Sequence, residues 1–234
     1  MGDIAALGSP PDEQLAIIRV KTIKSYDPRW AGEYSREAAR LRMALGPLRV
    51  TIDHIGSTAV NDLVAKPVID ILIQIADLKN IDERASRFED LGYEARGEYG
   101  IAGRRYFSKA IKDEIVKGFH VHIFEQGSYQ ARRHIAFRDC MRLRPDLAKA
   151  YSNLKRSIAD RNGQLPPDYT DRKKTFVDLI ADIAALQSNP VTICKSIVRY
   201  IESGAEKGRM DFAYHDKWLQ ALEKEALRLG AAIY

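Results

Sequence analysis

The chain has 234 residues, of which 45% are hydrophobic and 29% are charged, and its formal net charge is +5 at pH 7. These values are ordinary for a soluble globular protein with a sizeable core. No apolar run approaches the roughly 18 residues that indicate a membrane span, and no dense block of Lys and Arg indicates a nucleic-acid surface. We therefore expect neither a membrane nor a nucleic acid as partner, and the mildly basic charge suits an anionic small-molecule substrate.

Cysteine usage and the first residues predict a cytoplasmic protein. Cys140 and Cys194 form neither a Cys-x-x-Cys pair nor a metal-ligand spacing, which favours free thiols. Residues 1–14 are small, polar and acidic, and they lack the basic start and the apolar stretch of a signal peptide. We interpret them as a short disordered lead.

Apolar periodicity predicts an α/β domain over residues 15–127. Residues 68–73 are almost wholly apolar, as expected of a central strand that is buried on both faces. The predicted elements are, in chain order, a β-prone run at 20–23, a helix at 31–45, strands at 49–55 and 67–75, a helix at 81–91, and strands at 93–99, 104–110 and 118–124.

From residue 128 onward the pattern becomes helical, which predicts a helical subdomain at 128–187 packed on the α/β domain and an extra helical extension at 188–234. The apolar faces of the extension either pack back on the body or dock a partner or a second copy, which would give a homodimer. The helices predicted in this half lie at 129–143, 145–160, 169–186, 191–203 and 211–229.

The segment around Gly56 carries the most informative chemical pattern. A predicted strand leads into Gly56 and Ser57, and a loop returns to the buried strand that holds Asp70. Gly56 lets a phosphate approach the backbone closely, and Ser57 can donate from its hydroxyl and its N–H. An Asp in so apolar a run is costly unless it is paired or binds a cation, so Asp70 is a candidate ligand for a divalent metal. The alternative is an ordinary turn followed by a strand-end carboxylate.

Several sequence blocks occur in a fixed order: His54-Ile55-Gly56-Ser57-Thr58-Ala59-Val60, Lys66-Pro67, Ile69-Asp70-Ile71, Gly103-Arg104-Arg105-Tyr106-Phe107, His120-Val121-His122, Arg133-His134 and Phe137-Arg138-Asp139. Together they resemble the GrpB family, which is usually grouped with the nucleotidyltransferases. The similarity spans about residues 20–186, and the chain from 188 onward has no counterpart in it. It implies a nucleotidyltransferase-like mixed sheet with flanking helices, and a transferase that moves a nucleotidyl group from a nucleoside triphosphate to a small acceptor.

The chain departs from the wider nucleotidyltransferase pattern in its acidic residues. That pattern has a pair of acidic residues after Gly-Ser and a third on a later strand. With Gly56 and Ser57 aligned, Asp70 takes the second acidic position and Val68 occupies the first. Three alternatives follow: one metal, with Mg²⁺ or Mn²⁺ expected, held by Asp70 and a histidine; nucleotidyl transfer with unusual ligands; or binding of a nucleotide or another small molecule without transfer.

His120 and His122 stand where the third acidic residue is expected. They are two apart on a predicted strand, so they face the same side. With Asp70 they form a candidate catalytic and metal-binding set of two imidazoles and one carboxylate. Exposed or hydrogen-bonded histidines are the alternative. On the strand before Gly56, Asp53 and His54 alternate, and the sequence does not choose which of them faces the site.

Basic side chains complete the candidate substrate-binding set. Lys66 could contact a phosphate as a point charge, whereas an Arg offers a two-pronged fork. We expect one of Arg104 and Arg105 to point into the site and the other away. His134 and Arg138 share a helix face at i, i+4 and could close over the Gly-Ser turn. A solvated basic surface is the alternative. Weaker candidates are Lys155, Tyr169 and Lys173.

Three functions are compatible with these residues. The leading hypothesis is metal-assisted nucleotidyl transfer. The second is a different transferase or ligase chemistry on a small molecule at a histidine-rich site, which the missing acidic residues motivate. The third is a ligand-binding or interaction module without catalysis, which the helices after residue 188 motivate.

Overall fold

The computed structural model describes residues 20–113 and 115–186. The helices predicted at 191–203 and 211–229, and a homodimer formed through them, lie outside the described residues. None of the described helices has the length and apolar character needed to cross a bilayer. The elements are α1 (Arg29–Leu45), β1 (Val50–Ile55), a 3-10 turn (Ser57–Ala59), β2 (Val68–Ile75), α2 (Lys79–Asp82), α3 (Ala85–Asp90), β3 (Glu94–Ala95), β4 (Arg105–Ala110), β5 (Gly118–Glu125), α4 (Tyr129–Leu143), α5 (Pro145–Ile158) and α6 (Tyr169–Leu186).

The five strands form one mixed sheet in the order β1-β2-β5-β4-β3. β2 and β5 run parallel in the middle of the sheet, and all other neighbouring strands are antiparallel. The apolar side chains of β2 are buried on both faces, as the unbroken apolar run predicts. The mixed sheet with helices on its faces confirms the predicted α/β class.

Helices cover the two faces of the sheet through separate cores. On one face, Trp30 of α1 and Phe88 of α3 are fully buried against the sheet. Beyond the other face, α4, α5 and α6 share a core around Tyr151. The loop between β1 and β2 contributes Val60 and Leu63 to that helical core. The loop that follows the 3-10 turn is therefore anchored in the helical core.

Most predicted boundaries agree with the structure, but the helix predicted at 81–91 is wrong. Two short helices, α2 and α3, replace it, and Arg84 lies between them with φ −117° and ψ 12°. The Arg84 side chain donates to the carbonyl of Asn80, while the Arg84 amide bonds to Ile81 instead. In a continuous α-helix the Arg84 amide would donate to the carbonyl of Asn80, but the Arg84 side chain already donates to that carbonyl.

Two predicted strands are also shorter than expected. Of the run at 93–99, only Glu94–Ala95 forms a regular strand beside β4. Arg96 and Gly97 still hydrogen-bond to Tyr106, and the chain then leaves the extended conformation at Gly97 (φ 59°) and Tyr99 (φ 44°). The run at 20–23 forms no strand, and its Thr22 makes an isolated bridge to Gln164. The β-prone residues there are held by the loop before α6 rather than by the sheet.

Candidate functional site

The turn after β1 lies directly against the carboxylate of Asp70. Gly56 has φ 69°, a left-handed conformation that glycine tolerates best. Antiparallel pairing places Ile55 opposite Asp70. A Cβ added at Gly56 would lie 2.4 Å from Asp70 Oδ2, so only a residue without a side chain fits here. The sequence needs glycine at this position for both its conformation and its close approach.

Parallel pairing of β2 with β5 brings both histidines to Asp70. Asp70 pairs with His120 and Leu72 pairs with His122. His120 Nδ1 is 3.1 Å from Asp70 Oδ1, and His122 Nε2 is 3.8 Å from the same oxygen. Burial disfavours the charged carboxylate, but the hydrogen bonds from His120 and His122 outweigh it and hold the pKa of Asp70 well below its ordinary value. Asp70 is therefore an ionised acceptor at neutral pH.

Arg104 determines which nitrogen of His122 carries the hydrogen. It is almost fully buried, donates to the carbonyls of Glu98 and Tyr99, and places Nη1 3.4 Å from His122 Nδ1. A guanidinium only donates, so His122 Nδ1 accepts and Nε2–H points to Asp70. Burial lowers the pKa of His122, which keeps the ring neutral.

Lys155 is the most deeply buried cation at the site. Its side chain is 1% exposed, and its Nζ donates to Ser57 Oγ at 2.6 Å and to the carbonyl of Val64 at 2.7 Å. The ammonium also lies 4.0 Å from the centre of the Tyr151 ring. Burial lowers the pKa of Lys155 well below its ordinary range, and repulsion from Lys173 adds to this effect. Ser57 Oγ accepts from Lys155, and a second side-chain hydrogen bond joins the Ser57 hydroxyl to Tyr151.

Ser57, Asp70 and His122 border a small cavity of about 200 Å³, whereas Lys155, Arg104 and His120 support its walls without lining it. His134 lies in its wall with its ring 5.1 Å from that of His122, and burial lowers the pKa of His134 to about 3. The lining residues are Ile55, Gly56, Ser57, Asp70, His122, Arg133, His134, Phe137, Tyr151, Lys173, Val177 and Ala181. The wall is thus partly apolar, with cationic and neutral donors facing one carboxylate.

Other predicted residues lie beside the cavity or away from it. Arg138 donates to Asp53 Oδ1 at 3.1 Å and to the carbonyl of His54, so it anchors the end of β1. Lys66 packs over the Tyr169 ring with 4.8 Å between Nζ and the ring centre. Arg105 forms a two-pronged ion pair with Asp82 on the outer surface and does not line the cavity.

Strand alternation separates Asp53 from His54. Asp53 accepts from α4 on the face of the site. His54 lies on the opposite face, where its ring stacks on Tyr34 at 4.6 Å and its Nε2 bonds to Thr58 Oγ1 at 3.0 Å. His54 therefore supports the turn from behind rather than facing the cavity.

His54 gives the fold a predicted sensitivity to acid. Burial, repulsion from Arg142 and repulsion from Arg138 lower its pKa to about 4, against an ordinary value of 6.5, although Asp70 opposes the shift. Between pH 6.5 and about 4, His54 binds a proton in the unfolded chain but not in the folded protein. The free energy of unfolding contributed by His54 is therefore constant above pH 6.5 and falls as the pH decreases toward 4. Between pH 6.5 and 4, we expect the free energy of unfolding to fall by on the order of 2–3 kcal/mol less in His54→Gln than in the unmodified chain. Urea unfolding at a series of pH values measures this difference. An unchanged slope would contradict the buried neutral state.

Sequence reasoning gave too little weight to Lys155, Tyr151 and Lys173. A usable signal was the spacing of Lys155, four residues after Tyr151 and eight after Leu147, which places it on the apolar face of α5. A lysine on such a face is either paired or functional.

The structure brings the three residues of the predicted metal site together, but the two histidines contact the Asp70 carboxylate instead of surrounding a space for an ion. Within residues 20–113 and 115–186, no group of three His, Cys, Asp or Glu side chains is placed to hold a metal ion. His120 and His122 approach Asp70 itself, and Asp70 is the one carboxylate among the described lining residues. Mg²⁺ commonly takes one or two carboxylates and completes its shell with substrate oxygens and water. The residues fit such an ion only if a ligand supplies the other oxygens.

Comparisons with known proteins agree on one family. The family model described as "GrpB protein" matches residues 21–182. UPF0157 protein YqkA of Bacillus subtilis is 36% identical over 152 residues, which are 65% of this chain and 43% of that protein. The matched stretch is therefore less than half of that relative's length.

A solved structure of a GrpB protein also aligns with the chain. Conserved protein GrpB from Enterococcus faecalis aligns with a TM-score of 0.62 and 34% identity, over 70% of this chain and 96% of that one. A cytoplasmic RNA terminal U-transferase aligns with a TM-score of 0.45 and 12% identity, over 67% and 49%, which is too distant to bear on activity. Because the family model covers most of the 234 residues, the chain belongs to the GrpB family.

Proposed function

We propose that the chain binds a nucleoside triphosphate and transfers its nucleotidyl group to a small acceptor, with release of pyrophosphate. The observation that carries this proposal is the 2.6 Å contact between Lys155 Nζ and Ser57 Oγ beside Gly56. A hydroxyl on the cavity wall with an ammonium directly behind it is a donor arrangement that suits a phosphate. The ionised Asp70 lies directly against the same turn and also lines the cavity.

The size of the cavity limits which part of the ligand is held. Sites for whole small molecules usually measure about 300–1,000 Å³, whereas this one is about 200 Å³. The cavity therefore takes the phosphate groups, and the base and sugar extend toward its mouth. Lys173 in the wall supplies a second positive charge for them.

A divalent ion, Mg²⁺ or Mn²⁺, belongs to this proposal. Asp70 would hold it together with phosphate oxygens of the substrate, and the ion would neutralise charge on the transferring group. Arg104 keeps His122 in the tautomer that donates toward Asp70, which leaves the carboxylate ionised for this role. Arg138 holds the end of β1 and so fixes the turn that carries Ser57.

Calorimetry tests the binding step. The four ribonucleoside triphosphates are titrated into the full chain with Mg²⁺ or Mn²⁺, and pyrophosphate release is followed with a mixture of small alcohols, amines and carboxylates as acceptors. We expect Ser57→Ala to weaken binding by about tenfold. Ser157→Ala is the matched control, since Ser157 is exposed on α5 and bonds to the carbonyl of Leu154. Absence of heat with every triphosphate and either metal overturns the proposal.

A second function is favoured by one observation: His120 and His122 both approach Asp70 in its ionised form. A histidine oriented by a carboxylate is a general base, so His120, which lies beside the cavity rather than in its lining, could take a proton from an anionic substrate without a metal. Removing divalent metal ions with a chelator distinguishes the two functions. Transfer by the metal route stops in EDTA, whereas proton transfer continues and is lost in His120→Gln.

A further inference from the structure

A second, larger cavity lies beside the 3-10 turn that carries Ser57, between α4 and α5. Its volume is about 710 Å³, compared with about 200 Å³ for the candidate site. The larger value falls within the range of about 300–1,000 Å³ that is typical of small-molecule sites. It is lined by Ala59, Val60, Asn61, Asp62, Met141, Arg142, Pro145, Ala148, Lys149, Ser152 and Arg156. None of these residues lines the candidate site, so the two cavities are distinct.

The lining of this second cavity is positively charged. Arg142, Lys149 and Arg156 contribute three cations, and Asp62 contributes one anion. Lys149 and Arg156 are seven residues apart on α5, so they share a face, and both are exposed. Within residues 20–113 and 115–186, no ion pair neutralises either of them. Guanidinium groups and an ammonium around one concavity favour a phosphate.

Two hydrogen bonds connect this cavity to the turn of the candidate site. Arg142 Nε donates to the carbonyl of Ala59 at 2.9 Å, and Ala59 ends the 3-10 turn that begins at Ser57. Farther along the loop, the Val64 amide donates to Ser152 Oγ at 3.4 Å, and Ser152 is only 3% exposed. A ligand that engages Arg142 and the Ser152 hydroxyl would therefore hold both ends of the 59–64 loop.

We propose that this cavity binds a second small molecule, one that carries a phosphate group on an apolar body, and that its occupancy orders the turn presenting Ser57. The phosphate contacts Arg142, Lys149 and Arg156. The apolar body lies on Val60, Met141 and Ala148. The site regulates or completes the candidate site without sharing a lining residue with it.

Phenyl phosphate is the probe, because it combines a phosphate with an apolar ring. It is titrated into the full chain at about 0.15 M salt, where diffuse surface attraction is screened. We expect the double variant Lys149→Ala with Arg156→Ala to bind at least about tenfold more weakly than the unmodified chain. Alanine keeps the helix, and both side chains are exposed, so the variant retains its fold.

A charge-matched double variant, Lys79→Ala with Lys112→Ala, removes two exposed lysines elsewhere and should bind normally. Hydrogen exchange followed by mass spectrometry should show slower exchange at residues 58–64 on binding, in the unmodified chain and in the charge control. Equal loss in both double variants, unchanged binding in the first, or no binding to the unmodified chain overturns the proposal. Ser57→Ala leaves this binding intact, so the outcome is independent of the proposed nucleotide site.

Discussion

Gly56→Ala is expected to lower the free energy of unfolding by about 2–6 kcal/mol and to abolish phosphate binding at the candidate site. The backbone at Gly56 has φ 69°, a conformation that costs about 1–3 kcal/mol for a residue with a side chain. The added Cβ would also lie 2.4 Å from Asp70 Oδ2 and 3.1 Å from Asp70 Cβ. The turn or the carboxylate must move, and either shift separates Ser57 from Asp70. Urea unfolding and calorimetry with a triphosphate measure the two effects.

Gly127→Ala separates the backbone strain from the clash. Gly127 has φ 74°, close to that of Gly56, but a Cβ there meets no atom within 4 Å. We expect it to cost only about 1–3 kcal/mol and to leave binding unchanged. If Gly56→Ala and Gly127→Ala lower the free energy of unfolding equally, the clash of the added Cβ with Asp70 does not contribute to the loss.

Some features of the site could be predicted from the sequence because they involve residues that are close together along the chain. Strand-turn-strand patterning predicts that Gly56 and Asp70 adjoin, and the register of β1 with β2 bears this out through the Ile55–Asp70 pair. Alternation also predicts that Arg104 and Arg105 point in opposite directions. The sequence could not say which one points inward, since that depends on how the chain enters β4 and on Asp82 being within reach of Arg105.

The remaining part of the site depends on contacts that are distant in sequence. His120 reaches Asp70 only because β5 inserts between β2 and β4, an order that periodicity does not encode. Lys155 reaches Ser57 across 98 residues, through the packing of α5 on the loop after the turn. The broken helix at Arg84 has a third cause, a side chain that competes for a backbone carbonyl. Each depends on tertiary structure, which local patterns do not report.

Lys155→Met is expected to weaken binding of a triphosphate at the candidate site by about a hundredfold. Methionine has a similar length and suits a buried position, but it cannot donate to Ser57 or offer a positive charge. Lys112→Met is the control, since Lys112 is exposed and the change in net charge is the same. Calorimetry at constant salt gives the affinity. Equal weakening in the two variants would assign the effect to net charge alone.

A double-substitution cycle tests whether Lys155 acts through Ser57. If the lysine serves to orient the hydroxyl, the loss caused by Lys155→Met should shrink once Ser57 is already alanine. If Lys155 contacts the ligand independently, the two losses should add. The cycle thus distinguishes a positioning residue from a direct phosphate ligand.

Stability gives a readout of Lys155 that needs no ligand. Burial, with repulsion from Lys173 added, lowers its pKa well below the ordinary value of 10.5, while attraction to Asp70 opposes the shift. Between the lowered pKa and 10.5 the unfolded chain binds a proton that the folded chain does not, so the free energy of unfolding rises with pH across that window. Lys155→Met should flatten this rise, whereas Lys112→Met should preserve it, as measured by urea unfolding at a series of alkaline pH values. If the free energy of unfolding rises equally steeply with pH in both variants, the folded protein does not lower the pKa of Lys155.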